Sequence, residues 1–365
     1  MKNAIDNNLT IILSLKGRPG FTFRWMEYAA SINLPFKVVI VDGGDDKDVE
    51  ERLSSSKSYN QVRYKYYRFP YDESYLDYFS KLETAFDHVE TDYVVMADND
   101  DFFVIDGLRK NVEFLMENSD YISCGGEVGG LFFDNDECFE FGVSSNKQNN
   151  ITSESSMSRV LSHFNSYDAT YYDVHRTEQL KKCFSKLRVL NPSDLFVAEL
   201  ITSCMTVASG KVKKDNYLHL VRQNNSPGSG AAGAHKKGGF LTRMCLPNWS
   251  TDYHNFIELL AAELSHNEDL VEETKVALDQ SYNAFLLKNI QAEFLNEVSF
   301  TTRIIVKYML QHKKTDARSI RNMYFRKIYS IVCRVKYRNG KPNLLGRALY
   351  FYNDVAPIAK VLNKP

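Results

Sequence analysis

The stretch VVMADNDDFF, residues 94–103, places an apolar strand directly before three carboxylates. Residues 94–97 are apolar or small, as in a strand buried on both faces, and Asp98, Asp100 and Asp101 follow at once. Two carboxylates separated by one residue offer the oxygen ligands that hard cations such as Mg²⁺ and Mn²⁺ prefer. Asp and Asn also favour turns and helix starts, so the motif by itself fits a plain turn equally well.

Strands and helices alternate along the chain before this motif. LTIILSL (9–15) runs into a Lys-Gly-Arg-Pro-Gly turn, and KVVIVD (37–42) ends on Asp-Gly-Gly-Asp. VRYKYYRF (62–69) alternates as a strand, and the next helix opens at Ser74 with Asp77 completing a capping box. This alternation predicts an α/β fold with a mostly parallel central sheet flanked by helices. Ligands bind such sheets at the carboxyl ends of the strands, where the polar endings lie.

Length, cysteine content and hydropathy exclude several classes of protein. At 365 residues and 44% hydrophobic, the chain is long enough for about two folding units. Its six cysteines form no CxxC pair, which argues against a zinc site and against a disulfide framework. The opening MKNAIDNN lacks a signal-peptide core, and no apolar run reaches the ~18 residues of a membrane span. We therefore expect a cytoplasmic protein.

The pattern changes in the second half of the chain. Short strands are predicted in residues 121–133, a helix from about residue 176, and another helix from Ser193 to Gly210. The segment NNSPGSGAAGAHKKGG (224–239) is biased towards Gly and Ser and predicts a loop.

The last part of the chain is expected to be mainly helical. Helical spacing prevails from residue 251 to about 335, after the LPNWS segment. We therefore predict a sheet-containing domain over residues 1–248 and a mainly helical C-terminal region over residues 249–365.

Four segments resemble the family 2 glycosyltransferases, which have the Rossmann-like, nucleotide-sugar-binding GT-A fold. They are TIILSLKGRP, VVIVDGGD, the helix leading into YVVMADNDDFF, and AEL eleven residues before Gly210. The resemblance covers roughly residues 8–225. The family usually ends its first strand in a Thr-Tyr-Asn-Arg-Pro-like turn and its second in an Asp-Asp-Gly-Ser-like turn, which correspond to residues 15–19 and 42–45. The resemblance implies that residues 1–248 bind a nucleotide sugar and carry catalysis.

The resemblance also implies which residues hold the donor and the metal. Asp42 corresponds to the carboxylate that accepts a hydrogen bond from the nucleotide base, and Arg18 lines the same pocket. Asp98 corresponds to a ribose-side or water-mediated ligand, and Asp100 to the direct ligand of Mn²⁺ or Mg²⁺. Asp101 is either a supporting group or an alternative ligand. The metal would neutralise the leaving diphosphate without a general acid.

An inverting transfer needs a base that deprotonates the acceptor hydroxyl. Family members often supply it from a Glu-Asp pair at a helix start, about eleven residues before a glycine. Counting back from Gly210 places Glu199 at this position, with Ala198 where the family commonly has Glu. Asp194 is the alternative base. A solvated helix face and a salt bridge are the structural alternatives for Glu199.

Histidines and cations further along the chain are candidates for the same site. His219, in NYLHLVRQ, is the candidate third metal ligand, because some enzymes of this fold close the metal shell with a histidine in this region. A buried core histidine is the alternative, and His235 is the rival ligand. Cations that flank the glycine-rich loop could clamp a diphosphate. They are Arg222, Lys236, Lys237 and Arg243.

The segment TYYDVHRT offers side chains for an acceptor site. They are Tyr171, Asp173, His175 and Arg176. A mixed edge strand explains these residues equally well. The expected partners are a nucleotide-sugar donor and a glycan or lipid-linked glycan acceptor.

The basic segment 301–338 alternates aromatic and aliphatic residues with Lys and Arg at near-helical spacing. Residues 301–365 carry fifteen Lys and Arg against two acids, a net charge of +13 that leaves −14 for the rest of the chain. A basic amphipathic helix suits an anionic membrane surface, on the inner face of the cytoplasmic membrane. Packing against the acidic body of the protein is the alternative. No nucleic-acid fold motif is present, so nucleic acid is not an expected partner.

Together these features predict a metal-dependent glycosyltransferase. It would move a sugar, with inversion, from a nucleotide-diphosphate donor to a hydroxyl of a glycan or glycolipid in surface polysaccharide biosynthesis. A sugar nucleotidyltransferase is the alternative enzyme, although the chain lacks the long glycine-rich N-terminal loop of that class. A catalytically inactive GT-A scaffold at the membrane is the alternative of another class.

Overall fold

The computed structural model describes residues 2–55, 58–135, 138–143, 150–223, 238–265, 271–297, 334–338, 341–343 and 352–362. Two segments that the sequence singled out lie outside the described residues. They are most of the glycine-rich loop, with His235, Lys236 and Lys237, and residues 301–333 of the basic segment.

Strands and helices alternate through the first two thirds of the described chain. The strands are β1 (Leu9–Leu15), β2 (Lys37–Asp42), β3 (Tyr64–Arg68), β4 (Tyr93–Asp98), β5 (Asp101–Phe103), β6 (Tyr121–Asn135), β7 (Cys138–Val143), β8 (Val174–Arg176), β9 (Lys211–Gln223), β10 (Arg334–Arg338) and β11 (Lys341–Asn343). The first helices are α1 (Lys2–Asn7), α2 (Pro19–Ser31), α3 (Lys47–Ser54), α4 (Tyr75–Ala85), α5 (Ile105–Glu117), α6 (Ser156–Asn165), α7 (Thr177–Leu190) and α8 (Leu195–Ser209). They are followed by helices Phe240–Met244, Trp249–Leu264, Val271–Glu297 and Tyr352–Leu362.

One mixed sheet organises the described chain. Its order is β11-β10-β7-β6-β8-β4-β1-β2-β3, and β9 pairs with β6 and with β5. Strands β3, β2, β1 and β4 are all parallel, and β9 is parallel to β6. The short β8 is antiparallel to both β4 and β6. The predicted α/β fold, with a mostly parallel central sheet flanked by helices and a helical region after it, is confirmed.

The register of the parallel strands aligns their polar ends. Leu15 lies opposite Asp42 in the β1–β2 pair, and Asp42 lies opposite Arg68 in the β2–β3 pair. Ser14 lies opposite Asp98 in the β1–β4 pair. Every residue of β1 is buried, so the apolar halves of these strands anchor the sheet while their ends form one polar edge.

The local signals in the sequence mark helix starts well. The predicted capping box is present before α4, since the Ser74 N–H donates to Asp77 Oδ2 at 2.9 Å and the Asp77 N–H to Ser74 Oγ at 3.3 Å. The helix expected near residue 176 begins at Thr177. The helix expected from Ser193 begins at Leu195.

One expectation fails because tertiary pairing overrides the local pattern. The two short strands expected within residues 121–133 form the single long strand β6, which β9 pairs along most of its length. Near the expected end of the helical stretch, at about residue 335, Arg334–Arg338 forms a strand antiparallel to β7.

The helices after residue 248 pack against the sheet-containing part of the chain. Phe256 and Leu260 of one helix and Tyr282 of the next share a buried core with Cys204 of α8 and Val94 of β4. The division into residues 1–248 and 249–365 stays a prediction. No helix in the described part of the chain is long and apolar enough to cross a bilayer.

Candidate functional site

The carboxylates of VVMADNDDFF meet at the carboxyl edge of the sheet. Asp98 ends β4, and the chain then reverses so that Asp101 opens β5. One oxygen each of Asp98, Asp100 and Asp101 lies within 4.8 Å of the others, and we call this group the triad. Asn99 is buried, and its Nδ2 donates to Thr22 Oγ1 at 3.0 Å. This bond ties the turn to helix α2.

The apolar residues after the triad return the chain to the core. Phe102 and Phe103 are buried. The Tyr28 hydroxyl of α2 donates to the Phe103 carbonyl at 2.7 Å, and the Tyr28 ring packs edge-on against Phe102. The turn that carries the carboxylates is therefore held on both sides.

Arginines from the start of α2 approach the triad. Arg18 Nη1 lies 2.8 Å from Asp100 Oδ2. Arg18 adopts a left-handed backbone conformation, with φ of 57°, and follows Gly17, whose φ is 65°. Burial lowers the pKa of Arg24 to about 10, an effect that the Asp100 carboxylate opposes. One guanidinium group thus contacts the middle carboxylate, and a second interacts with it electrostatically.

A third arginine reaches the triad from β9. The antiparallel pairing of β5 and β9 sets Arg222 opposite Asp101, and Arg222 Nε lies 3.1 Å from Asp101 Oδ2. Arg222 Nη2 also donates to the Tyr172 hydroxyl at 3.2 Å, and that hydroxyl donates to Asp98 Oδ2 at 2.6 Å. Tyr172 therefore links the first and last carboxylates of the triad through Arg222.

Burial and mutual repulsion make the triad electrostatically unfavourable. Desolvation raises the pKa of Asp101 to about 7, and the neighbouring carboxylates Asp100 and Asp98 add to the shift while Arg222 opposes it. Desolvation also raises the pKa of Asp98. Carboxylates crowded in this way are characteristic of functional sites.

The triad fits a hard divalent cation. Its donors are all carboxylate oxygens, and Mg²⁺ and Mn²⁺ bind through a few such ligands together with substrate phosphates. His219 is not part of this ligand group among the described residues. It is 1% exposed, its Nδ1 accepts the Gly126 N–H at 2.9 Å, and desolvation lowers its pKa to about 4. The structure therefore places His219 in the core beneath the sheet edge.

The carboxylate at the end of β2 has protein donors on both oxygens. Asp42 is buried, and its Oδ1 accepts the Gly44 N–H at 2.8 Å. Its Oδ2 accepts the Tyr66 hydroxyl at 2.7 Å and Arg68 Nη1 at 2.9 Å. The turn after β1 lies alongside, since a side chain added at Gly44 would meet the Gly17 nitrogen at 2.8 Å. Asp42 is thus fixed in orientation at the opposite end of the sheet edge from the triad.

Glu199 and Asp194 occupy different surroundings on α8. Glu199 is half-buried, its Oε1 accepts the Tyr167 hydroxyl at 2.9 Å, and desolvation raises its pKa while Arg222 lowers it. Asp194 is buried at the start of the helix, where both of its oxygens lie 2.6 Å from Arg243 Nη1. Glu199 therefore interacts electrostatically with Arg222, which also contacts the triad. Asp194 instead forms a buried ion pair with Arg243.

The candidate acceptor residues have structural partners. Asp173 is buried and pairs with Lys214 Nζ at 2.8 Å. His175 is buried against the Thr170 carbonyl, and Arg176 donates to carbonyl oxygens of α5 and its surroundings. The Tyr171 hydroxyl contacts the Tyr78 hydroxyl at 3.1 Å.

Several residues at the site were not predicted from the sequence. They are Arg24, Tyr66, Arg68, Asp72, Lys81, Tyr167 and Tyr172. For Arg68 a signal existed, because it ends the predicted strand β3 at the same edge as Asp42. Tyr172 stands within the TYYDVHRT segment that the sequence singled out, but nothing in that segment indicates a contact with Asp98.

Comparison with known proteins supports the fold. No protein-family model and no curated protein sequence matches this chain. The crystal structure of S. aureus TarS 1-349 in complex with UDP-GlcNAc is 12% identical, with a TM-score of 0.50, over 80% of this chain and 77% of that chain. TarS 1-349 in another crystal structure is 13% identical, with a TM-score of 0.48, over 80% and 76%.

A mannosyltransferase has a similar but more distant structure. PcManGT from Pyrobaculum calidifontis, in complex with GDP-Man and Mn²⁺, is 11% identical, with a TM-score of 0.43, over 84% of this chain and 81% of that chain. At the 12% identity of the TarS complex, the likeness shows the fold, and this chain has the GT-A type of sheet and helices.

Proposed function

We propose that this chain is a metal-dependent glycosyltransferase that uses a nucleotide-diphosphate sugar. The observation that carries the proposal is the alignment of Asp42 and the triad along one sheet edge, at a spacing set by strand register. Ligands of open α/β sheets bind at this edge. The TarS structure with the same fold contains UDP-GlcNAc, which agrees with a nucleotide sugar as donor.

We assign the nucleotide base to the Asp42 end of the sheet edge and the metal and diphosphate to the triad end. Asp42, held by Tyr66 and Arg68, would accept a hydrogen bond from the nucleotide base. Asp98 and Asp100 would hold Mn²⁺ or Mg²⁺, which supplies charge stabilisation to the departing diphosphate. Arg18 and Arg222 lie beside the triad and would contact the phosphate oxygens.

Glu199 is the proposed base for an inverting transfer. Burial raises the pKa of its carboxyl above the usual range, which makes it a better proton acceptor near neutral pH. The Tyr167 hydroxyl orients one oxygen and leaves the other to receive the acceptor proton. Asp194 remains the alternative base, although its ion pair with Arg243 lowers its availability.

The acceptor belongs to the same proposal. A hydroxyl of a glycan or lipid-linked glycan, in surface polysaccharide biosynthesis, is the class that we infer. Attachment to an anionic membrane through residues 301–338 stays a prediction. Truncation after residue 300 should abolish binding to anionic vesicles. Unchanged binding would exclude residues 301–338 as the membrane-binding segment.

The experiment is a nucleotide panel read by thermal stability. We expect one of UDP, GDP, CDP and dTDP to raise the Tm in the presence of Mn²⁺, and Asp100→Asn to remove that rise. Asp48→Asn, an exposed carboxylate in the first turn of α3, is the matched control and should keep it. No nucleotide-dependent rise in the wild type would count against a transferase and favour an inactive scaffold. Release of pyrophosphate from a nucleoside triphosphate and a sugar phosphate would identify a nucleotidyltransferase instead.

A further inference from the structure

A buried ion pair lies beneath the turns that follow β1 and β2, which we call the base-side turns because they flank Asp42. The pair has no part in the roles assigned above. Lys81 of α4 is 2% exposed and Asp72, in the segment between β3 and α4, is 1% exposed. Their side chains form an ion pair, and Lys81 Nζ also donates to the Leu15 carbonyl at 3.0 Å. A lysine on a helix thus reaches the carboxyl end of β1 through the interior of the protein.

Asp72 joins this lysine to the turn after β2. The Asp72 N–H donates to the Gly43 carbonyl at 2.9 Å, and the Gly43 N–H donates to the Leu15 carbonyl at 3.0 Å. A Cβ added to Gly43 would lie 2.2 Å from Asp72 Oδ1. Only glycine at this position allows the carboxylate to approach, and the approach fixes the turn that follows Asp42.

The same segment holds the turn after β1. Lys16 Nζ donates to the Asp72 carbonyl, and the Lys16 ammonium also lies over the Tyr71 ring, 4.8 Å from its centroid. The turns after β1 and β2 therefore share one attachment, which is Asp72, and Asp72 is held in the interior by Lys81.

We propose that Lys81 and Asp72 are positioning residues for the donor nucleotide, which they serve by holding the two turns around Asp42 at a fixed separation. The proposal rests on the proposed function, because it takes the base-side turns to be the nucleotide pocket. Neither side chain touches the nucleotide. The pair acts through the backbone at Leu15 and Gly43, so its removal should weaken donor binding more than the chemical step.

A stabilising role alone would predict a different pattern of variants. Breaking a buried pair by removing one partner leaves an unpaired charge, whereas removing both charges relieves most of that cost. Lys81→Met should therefore be unstable, and Lys81→Met with Asp72→Asn should recover much of the stability. If the pair only stabilised the fold, the double variant would bind nucleotide normally.

The experiment compares the full chain carrying these changes by titration calorimetry with Mn²⁺ and the nucleotide that stabilises the wild type. We expect the double variant to raise the nucleotide Kd at least about tenfold, or about 1.4 kcal/mol, and the donor KM in parallel. We expect kcat at saturating donor to stay within about threefold of the wild type, since the lost interactions would be made equally in the ground and transition states. Lys65→Met, an exposed lysine on β3, is the control and should leave the Kd unchanged.

The outcomes separate this inference from the proposed function. Normal nucleotide binding by the double variant would overturn the positioning role alone. A fall in kcat with an unchanged KM would overturn it as well. Absence of nucleotide binding by the wild type would overturn the proposed function, and the inference with it. Binding of Mn²⁺ alone should be the same in the wild type and the double variant, which shows that the triad is intact.

Discussion

Two groups of carboxylates stand at the same sheet edge and differ in how the protein satisfies them. In the base-side group, Asp42 has donors from hydroxyl, guanidinium and backbone N–H groups, and Asp72 pairs with the Lys81 ammonium, although burial raises the pKa of Asp72 as well. The triad faces its own like charges, and burial raises the pKa of Asp98 and Asp101. A buried carboxylate with matched donors is a fixed structural group. Carboxylates that repel one another retain the capacity to bind a cation.

The difference follows from where each group finds its partners. Asp42 ends β2, the second strand from one end of the sheet, and the terminal strand β3 supplies Tyr66 and Arg68 beside it. The triad lies where β4 stops pairing and the chain turns, so its partners come from the start of α2 and from β9. Strand β3 thus supplies the partners of Asp42, whereas the partners of the triad come from segments that are distant in the sequence.

Glu199 is intermediate between the two groups in its hydrogen bonding, because its donor is one neutral hydroxyl, that of Tyr167. We predict that Glu199→Gln lowers kcat by about 10² to 10⁴, the range for loss of a general base. The nucleotide Kd should change little, because glutamine keeps the hydrogen bond from Tyr167. Transfer kinetics with the donor identified by the nucleotide panel test this. A kcat near that of the wild type would place Glu199 with the structural carboxylates.

Neutralising one carboxylate from each group should change stability in opposite directions. Asp42→Asn should destabilise the fold by about 1.5 to 3 kcal/mol, the usual worth of a hydrogen bond to a charged group. Asp101→Asn should stabilise the metal-free protein by about 1 kcal/mol at pH 8, because it removes a buried charge that repels its neighbours. Denaturant unfolding in the presence of a chelator measures both. If both variants changed the free energy of unfolding in the same direction, the distinction between the two groups would be wrong.

The arginine beside the triad should oppose the metal. Arg18→Met should tighten Mn²⁺ binding in the absence of nucleotide at least about fivefold, since a unit like charge at contact distance costs on the order of 1 kcal/mol even in water. The same change should weaken nucleotide binding. Arg68→Met, which removes the guanidinium partner of Asp42, is the control for the metal measurement. Calorimetric titration with Mn²⁺ alone reads this effect, and an unchanged affinity would contradict it.

The smallest predicted effect is on pH dependence. The Tyr167 hydroxyl lowers the pKa of Glu199 against the larger raising effect of burial. A base acts when deprotonated, so kcat should rise with pH through the pKa of Glu199. Tyr167→Phe should move this rise to higher pH, with kcat at pH 9 within about twofold of the wild type. A shift to lower pH, or none, would exclude Glu199 as the titrating group.

Much of the central sheet was predictable from local patterns. Strands β1, β2 and β4 are apolar on both faces and end on polar residues, and parallel pairing places such ends along one edge. The capping box at Ser74 was predictable for the same reason, because its two bonds join residues three positions apart. The positions of Asp42 and the triad relative to the sheet follow from these elements.

Other parts of the site depended on pairings between distant segments. The sequence showed a candidate cation at Arg222 and a candidate ligand at His219, but their roles depended on the register of β9. That register turns Arg222 towards Asp101 and leaves His219 in the core. Strand alternation places positions 219 and 222 on opposite faces, but it does not indicate which distant segment β9 pairs with.

The amino-acid sequence alone determined the sheet, its polar edge and the delivery of three carboxylates to that edge, because strand periodicity and turn chemistry act over a few residues. Only the tertiary structure decided which side chains meet those carboxylates. Arg222 and Tyr172 contact the triad across separations of 121 and 74 residues. Contacts of that length form only when the whole sheet is assembled, because helix and strand periodicities carry no information about which distant segments will pair.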